Sequence, residues 1–268
     1  MTLNIGIAGF GTIGSVVAHR LAGDIPGMTL AAVSAGRKDV AEQRLASLGL
    51  SAPVVSPDEL AQLCDVIVEC APTPAFRSIA DPAMATGRVL LTVSGAALLD
   101  HPYLIERAKA GGGRIILATG ALLGFDAVRA AAEGQIHSVR MVTRKPPRSL
   151  KTAKYVVENG IDLENLDAPL RLFAGTAREG ARAFPANVNV AAALGLAGVG
   201  PDRTELEIWA DPTKTRNCHR IEVDADSARL ALEIENVPTD ENPGTGRITA
   251  LSLIAALRGM TAPLRVGS

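Results

Sequence analysis

Apolar and polar positions follow two alternating patterns over the first 118 residues of the chain. Short apolar runs, typical of strands covered on both faces, are separated by segments with apolar residues at helical spacing. The predicted strands are residues 3–8, 28–34, 53–55, 65–70, 88–93 and 114–118. The predicted helices are residues 12–22, 38–48, 74–86 and 100–111, and a helix from residue 57. This alternation predicts an α/β fold with a doubly wound parallel sheet.

The pattern changes after about residue 120. The predicted elements are a helix at 124–133, helices on both sides of Pro185, and strands at 136–144, 170–174, 204–210, 218–225 and 228–236. This half is expected to be α+β, with a mostly antiparallel sheet and helices on one face. The last apolar helix, 246–260, is expected to return to the first half. The predicted domains are therefore 1–118 and 119–241, with the segment 242–268 packing back on the first.

Composition narrows the class of protein. Hydrophobic residues make up 47% of the 268 residues and aromatics only 3%, so small aliphatic side chains must fill a layered core. The net charge of −1 gives no indication of nucleic-acid or membrane binding. No apolar run approaches the roughly 20 residues of a spanning helix, and the N-terminus does not resemble a signal peptide. Three widely spaced cysteines predict a reducing cytoplasm and no metal cluster.

A glycine-rich hexapeptide follows the first predicted strand and opens the first predicted helix. GFGTIG, residues 9–14, has the G-x-G-x-x-G spacing of dinucleotide-binding turns. Gly9 permits the tight turn, and Gly14 lets the helix pack close to the strand. Gly11 lets a pyrophosphate approach the backbone N–H groups at the helix start, which include Thr12 and Ile13. A glycine-rich turn without a ligand is the alternative, but the strand–turn–helix context favours the nucleotide site.

The end of the second predicted strand bears on the choice of nicotinamide cofactor. An acidic residue about 20 positions after the turn would bind the ribose of NAD, but Ser34 stands there, followed by AGRKD. Ser34 with Arg37, and Lys38 as a further candidate, could instead bind a 2′-phosphate through charge-assisted hydrogen bonds. The expected cofactor is therefore NADP or NAD: NADP should be accepted, and a preference for NADP over NAD is left open. Alternatively, Arg37 and Lys38 are simply a solvated helix start.

One of the four histidines lies in a cluster of polar residues. His219 belongs to RNCHR, residues 216–220, whereas His19, His101 and His137 stand where a structural or solvated role is ordinary. His219 also falls in the half expected to bind a small-molecule substrate. An imidazole with an ordinary pKa near 6.5 accepts or relays a proton near neutral pH. His219 is therefore the candidate acid/base.

Seven segments carry a family resemblance. They are GFGTIG (9–14), VSGAALLD (93–100), ATGALLGFDAV (118–128), RKPP (144–147), FPANVNVAAALGLAGVGPDRT (184–204), ADPTKTRNCHRIEV (210–223) and NPGTGRITALSLIAALR (242–258). Together they resemble the L-aspartate dehydrogenase family over nearly the whole chain, and FPANVNVAAAL and RNxH are the most specific.

The resemblance implies a Rossmann domain followed by an α+β catalytic domain. It also implies NAD(P)-dependent oxidative deamination of aspartate to iminosuccinate, which hydrolyses to oxaloacetate and ammonia, or the reverse reaction. The family's catalytic histidine falls on His219, and its cofactor contacts in the second half fall on Ala121 and Asn187. A homodimer built through the second sheet is implied as well.

The chemistry of the neighbouring residues suits these roles. The amide of Asn187 offers a donor and an acceptor to the nicotinamide carboxamide. Thr119, Gly120 and Ala121 would form a carboxylate cradle at a helix start. Asn217 either orients His219 or caps the turn. The candidate cations for a dicarboxylate are Arg144, Lys145, Arg178, Arg216 and Arg220.

Several positions depart from the family pattern. A stretch that usually reads PSGAIGGLDA is ATGALLGFDA here, with Leu123 and Phe125 as the bulkier changes. If Leu123 faces the pocket, the site is narrower or more apolar than an aspartate pocket. The substrate could therefore be a related amino acid or imine.

Three other classes of protein are alternative interpretations of this sequence. A dihydrodipicolinate reductase would carry paired histidines, which this sequence lacks. A semialdehyde dehydrogenase would need a nucleophilic cysteine, and Cys218 should point away from His219 because adjacent strand residues face opposite sides. A non-catalytic NADP-binding sensor would share the fold and show no turnover.

Overall fold

The chain folds as two units, seen in a computed structural model that describes residues 2–23, 25–122, 124–185, 188–241 and 244–267. The first unit comprises Met1–Ala118 and Thr249–Arg265, and the second comprises Thr119–Ile248 and Val266–Ser268. Two residues discussed above, Leu123 and Asn187, lie outside the described residues.

The first unit is built on a five-stranded parallel sheet in the order β2-β1-β3-β4-β5. The strands are β1 (Leu3–Ala8), β2 (Met28–Ser34), β3 (Val66–Glu69), β4 (Val89–Thr92) and β5 (Arg114–Leu117). The helices are α1 (Thr12–Gly23), α2 (Lys38–Ser47), α3 (Pro57–Leu63), α4 (Phe76–Ala85), α5 (Gly95–Asp100) and α6 (Tyr103–Gly111). The predicted doubly wound parallel sheet is confirmed.

Alternation along the strands places a core on each face of this sheet. Val66 and Val68 of β3 pack into the core that contains residues of α1 and α2. Ile67, which points to the other face, packs with residues of α3, α4 and α6. Both faces are therefore covered, which explains why these strands read as nearly continuous apolar runs.

Two parts of this unit differ from the prediction. The strand at 53–55 is a single bridge between Val33 and Val54, because Pro53 has no N–H to donate to a ladder. Where one helix was predicted at 100–111, the chain forms two helices, α5, which was not predicted, and α6, which covers most of the predicted range. The first of these, α5, consists largely of buried small and aliphatic residues and shows no clear helical period.

The second unit contains a mixed five-stranded sheet in the order β10-β9-β6-β8-β7. Its strands are β6 (Ile136–Lys145), β7 (Leu170–Thr176), β8 (Thr204–Ala210), β9 (Asn217–Ala225) and β10 (Arg229–Asn236). Its helices are α7 (Phe125–Ala132), α8 (Lys154–Glu158), α9 (Ala177–Ala183) and α10 (Asn189–Ala197). Only β6 and β8 are parallel neighbours, so the sheet is mostly antiparallel as predicted.

One face of this second sheet is buried and the other is more exposed. Val139, Met141, Thr143 and Lys145 alternate along β6 with more exposed residues. Gly198, which follows α10, lies close to Val139. We call the face that carries Thr143 and Lys145 the inner face of the sheet.

The last helix, α11 (Ile248–Thr261), completes the core of the first unit. Its buried residues Leu253, Ile254 and Leu257 pack in one cluster with Ile5 and Leu21. The helix begins two residues later than the apolar pattern indicated. Within the part of the chain that the structure describes, no helix has the length and apolarity needed to cross a membrane.

Candidate active site

The glycine turn between β1 and α1 has the geometry of a dinucleotide-binding turn. Gly9 has a φ of +93°, and a Cβ there would lie 2.5 Å from the backbone nitrogen of Ala71. A Cβ on Gly14 would overlap the carbonyl oxygen of Gly9, whereas the space around Gly11 is open. Gly11 thus leaves room for a ligand, and Thr12 and Ile13 form the first turn of α1, where N–H groups lack partners within the helix.

A buried carboxyl group lies beside this turn. Glu69, fully buried at the end of β3, accepts hydrogen bonds from the Ala71 N–H at 2.9 Å and from Thr92 Oγ1 at 2.5 Å. Burial raises the pKa of Glu69, although hydrogen bonds from Thr92, Ser94 and Ala71 partly oppose the shift. Sequence reasoning missed this residue; its signal was an acid inside an otherwise apolar strand.

Ser34 and Arg37 lie on the same side of the first unit as the turn. The carbonyl oxygen of Ser34, the last residue of β2, accepts a hydrogen bond from the Gly9 N–H at 2.8 Å. Arg37 precedes α2 in an extended conformation and its side chain is exposed. Its neighbour Lys38 lies 3.9 Å from Glu42. Ser34 is therefore held beside the turn, and Arg37 is accessible to a ligand.

His219 lies on the inner face of the second sheet and is 4% exposed. It pairs with Thr143 across β9 and β6, and its Nδ1 lies 3.1 Å from Thr143 Oγ1 in a hydrogen bond. Lys145, two positions along β6, is 4% exposed. The inner face therefore presents an imidazole, a hydroxyl and an ammonium group side by side.

Burial governs the protonation states of His219 and Lys145. Burial and, as the smaller cause, the positive charge of Lys145 together lower the pKa of His219 to about 3. Burial also lowers the pKa of Lys145 to about 8. At neutral pH the imidazole is therefore neutral and Lys145 is mainly charged, because each shift disfavours the cationic form.

Two buried asparagines complete the inner face. Asn217, at the start of β9, pairs with Asn236 of β10. Asn236 Nδ2 donates to the carbonyl oxygen of Ala121 at 2.9 Å, so β10 is tied to the Thr119–Ala121 turn. The Oδ1 atoms of Asn217 and Asn236 are buried, and neither has a hydrogen-bond partner in the part of the chain that the structure describes. Buried acceptors of this kind suit a bound donor group.

The Thr119–Ala121 turn lies farther from the next helix than the sequence analysis expected. These residues were expected to open a helix, but α7 begins only at Phe125. Gly120 and Gly124 have φ values of +62° and +93°, and these left-handed positions separate the turn from the helix. Phe125 is buried, so its ring belongs to the core of the unit.

Of the five candidate cations, Lys145 is the one that the structure places beside His219. Arg144 contacts Asp211 at 3.2 Å, Arg178 contacts Asp202 at 2.6 Å, and Arg220 contacts Glu222 at 2.9 Å. Arg216 is exposed. Alternation along β6 and β9 puts Arg144 and Arg220 on the opposite face of the sheet.

The other histidines and the cysteines occupy structural or exposed positions. His19 and His137 are exposed, and His101 stacks on Phe76 with 6.0 Å between ring centroids. Burial raises the pKa of Cys70, and raises that of Cys218 to about 11. Both thiols are therefore protonated at neutral pH, which disfavours a cysteine nucleophile.

A dinucleotide-binding α/β unit joined to an α+β unit with a buried histidine defines a two-domain nicotinamide-dependent dehydrogenase. Residues 9–118 match the family model described as homoserine dehydrogenase, NAD binding domain. Residues 126–260 match the model described as aspartate dehydrogenase, C-terminal. The chain belongs to the L-aspartate dehydrogenase family.

Individual relatives agree with this assignment. The chain is 54% identical to an L-aspartate dehydrogenase of Bradyrhizobium diazoefficiens, over 99% of this chain and 94% of that one. It is 49% identical to L-aspartate dehydrogenase 3 of Bordetella bronchiseptica, over 99% and 98%. A crystal structure of aspartate dehydrogenase from Thermotoga maritima has the same fold, with a TM-score of 0.76, 22% identity and full coverage of both chains. The protein is accordingly an NAD(P)-dependent oxidoreductase of the amino-acid dehydrogenase type.

Proposed function

We propose that this protein catalyses the NAD(P)-dependent interconversion of L-aspartate with iminosuccinate, and thereby with oxaloacetate and ammonia. The observation that carries the proposal is the buried His219 on an inner face that also holds Lys145 and Asn217, in a chain of this family. The neutral imidazole of His219 can accept a proton from an amine, and the Lys145 ammonium group can pair with a carboxylate. Asn217 Oδ1, which has no partner among the described residues, can accept a hydrogen bond from the amine.

The residues of the first unit suit a dinucleotide. The open space at Gly11 and the close packing at Gly9 and Gly14 would seat the pyrophosphate at the start of α1. In the second unit, Ala121 and Asn187 are the proposed contacts of the nicotinamide end. When bound, the nicotinamide supplies the acceptor for the hydride that leaves Cα.

His219 is the proposed acid/base. If the Nδ1–H donates to Thr143 Oγ1, the lone pair lies on Nε2, which can accept a proton from the substrate amine. Once that proton has passed to solvent, Nε2 can take a proton from the water that adds to the imine carbon and return it to the nitrogen of the resulting carbinolamine, whose C–N bond then breaks to release ammonia. Asn217 Oδ1 would accept a hydrogen bond from the amine, and the Thr119–Gly120 turn would bind a carboxylate.

We further propose that NADP is accepted as well as NAD. Ser34 ends β2 where NAD-specific turns carry an acid, and the exposed Arg37 can pair with a 2′-phosphate. The test is kcat/KM with each cofactor for the wild type and Arg37→Ala, with Lys38→Ala as the matched control. Arg37→Ala should lower the efficiency with NADP and leave that with NAD unchanged. A strong NAD preference of the wild type would contradict the proposal.

The proposed assembly is a cytoplasmic homodimer formed through the outer face of the second sheet. This face carries a cavity of about 270 Å³ lined partly by Arg144, Trp209 and Lys214. Arg144 Cζ lies 4.7 Å from the centroid of the Trp209 ring, so this face presents a cationic and an aromatic group together. Light scattering should give twice the chain mass, and a monomer in solution would exclude this assembly.

A substrate panel tests the proposed reaction. Oxidation of NADPH and NADH is measured with ammonia and a series of 2-oxo acids. Oxaloacetate should give the highest kcat/KM, because its second carboxylate has a cationic partner. A higher kcat/KM with another 2-oxo acid would mean that the pocket is specific for a substrate other than oxaloacetate. Cofactor binding without turnover on any acid would favour a sensor.

A further inference from the structure

The ammonium group of Lys145 shares the buried inner face with the proposed acid/base. Thr143, which contacts His219, and Lys145 point to the same side of β6 because they are two positions apart. The β6–β9 register ends at the pair Arg144 and Cys218, which directly precedes Lys145 on β6 and follows Asn217 on β9. The buried Oδ1 of Asn217 lacks a partner among the described residues. A cation and an open acceptor therefore lie next to the imidazole.

The charged groups around Lys145 come from three strands. On β9 the titratable neighbour is His219, which is neutral. On β6, Arg144 points to the outer face. Beyond the end of β8, Asp211 donates its backbone N–H to the carbonyl oxygen of Lys145, while its carboxylate accepts from Arg144 and Thr213. The carboxylate of Asp211 is thus engaged by other groups.

We propose that one carboxylate of a four-carbon dicarboxylate substrate binds Lys145 Nζ, and that this contact enables His219 to accept a proton. The inference rests on the proposed function. In the free protein, burial and, after it, the nearby positive charge of Lys145 oppose formation of an imidazolium ion on His219. A carboxylate bound to Lys145 offsets that charge, so a substrate with the correct second carboxylate activates its own base.

This arrangement links substrate choice to reactivity. A 2-oxo acid with one carboxylate fewer leaves one charged site of the pocket unfilled, and His219 then remains a weak base. Discrimination between a dicarboxylate and a monocarboxylate should therefore be expressed in kcat as well as in KM. Lys145 would act as a specificity-determining residue that touches the substrate.

Binding of succinate, an unreactive dicarboxylate, tests the first half of the proposal without turnover. Lys145→Met should weaken the succinate Kd by roughly thirtyfold or more, as expected for loss of one partner of a buried charge pair. Arg178→Met is the matched control, since Arg178 pairs with Asp202, and it should leave the Kd unchanged. Unchanged affinity in Lys145→Met would overturn the proposal.

The wild-type protein supplies a test that needs no substitution of a buried residue. The pKa of Lys145, lowered by burial to about 8, means that succinate affinity should be constant below pH 8 and fall above it as the lysine loses its proton. In Lys145→Arg the side chain stays charged, so any remaining affinity should not fall in this range. A wild-type affinity that is flat to pH 10 would contradict a role for Lys145.

Histidine NMR tests the second half. The chain has four histidines, and His219→Gln assigns the signal of His219. In the free wild type this signal should not titrate between pH 5 and 9. Saturating succinate, or Lys145→Met without ligand, should move its pKa upward. If succinate binds through Lys145 and the signal does not move, the link to His219 is wrong. Because no outcome requires turnover, failure here is distinguishable from failure on oxaloacetate.

Discussion

At the scale of single residues, the proposed acid/base role of His219 depends on which ring nitrogen carries its proton. Thr143 lies 3.1 Å from Nδ1 and is itself 3% exposed, so this hydrogen bond is shielded from water. Polar context in the sequence was enough to single out His219. Its pairing with Thr143 and Lys145 was not predictable, because it depends on the register of two strands far apart in the chain.

Thr143→Val should lower kcat by roughly tenfold, the cost of one buried hydrogen bond to the imidazole. KM for oxaloacetate should change little, since Thr143 acts through His219. Thr143→Ser, which keeps the hydroxyl, should recover most of the rate. Initial rates across pH 6–9 measure both values. Equal losses in the valine and serine variants would show that packing of the methyl group, rather than the hydrogen bond, is responsible.

At the scale of elements, the β1–α1 turn is held by the neighbouring strand β3. The Cys70 thiol donates to the Gly9 carbonyl oxygen at 3.1 Å, and Glu69 fixes Ala71 directly above Gly9. The glycine spacing predicted the turn because steric demands on glycine are local. The strand β3 was predicted, but its support of the turn through Glu69 was not, since the same acid in an apolar run could equally mark an exposed strand end.

Glu69 gives the first unit a pH-dependent stability. Burial raises the pKa of Glu69 in the folded protein above its ordinary value of 4.5. The contribution of Glu69 to the free energy of unfolding is therefore fully present below pH 4.5 and is lost as the pH rises through the pKa of the folded protein. Between pH 5 and 8 the wild type should therefore lose stability relative to Glu69→Gln, which does not ionise. Urea unfolding of both proteins at several pH values measures the difference. A difference that is constant with pH would contradict the raised pKa.

At the scale of the whole molecule, the last helix of the chain completes the core of the first unit. Its apolar pattern indicated this return, and Leu253 and Leu257 are fully buried against residues of that unit. The strands of both sheets were predicted closely because the pattern of apolar residues that marks a strand is local in the sequence. The parallel pairing of β6 with β8 was not, since strand order depends on contacts that no local pattern records.

Leu253→Ala should destabilise the protein by about 2–5 kcal/mol, the usual result of removing a buried leucine side chain. Leu251→Ala is the control on the same helix; this side chain is 48% exposed, and its loss should change the free energy of unfolding by less than about 0.5 kcal/mol. Urea denaturation followed by circular dichroism gives both values. Similar effects of the two substitutions would mean that α11 is not part of the core.

The central claim is that His219 is the acid/base of an aspartate dehydrogenase, and one paired measurement tests it most directly. The rate of NADPH oxidation with oxaloacetate and ammonia is compared between the wild type and His219→Gln, with NADPH affinity measured by fluorescence. We expect fast turnover of the wild type, a loss of about a hundredfold or more in kcat for the variant, and unchanged NADPH affinity. A His219→Gln protein that turns over oxaloacetate at the wild-type rate would contradict it.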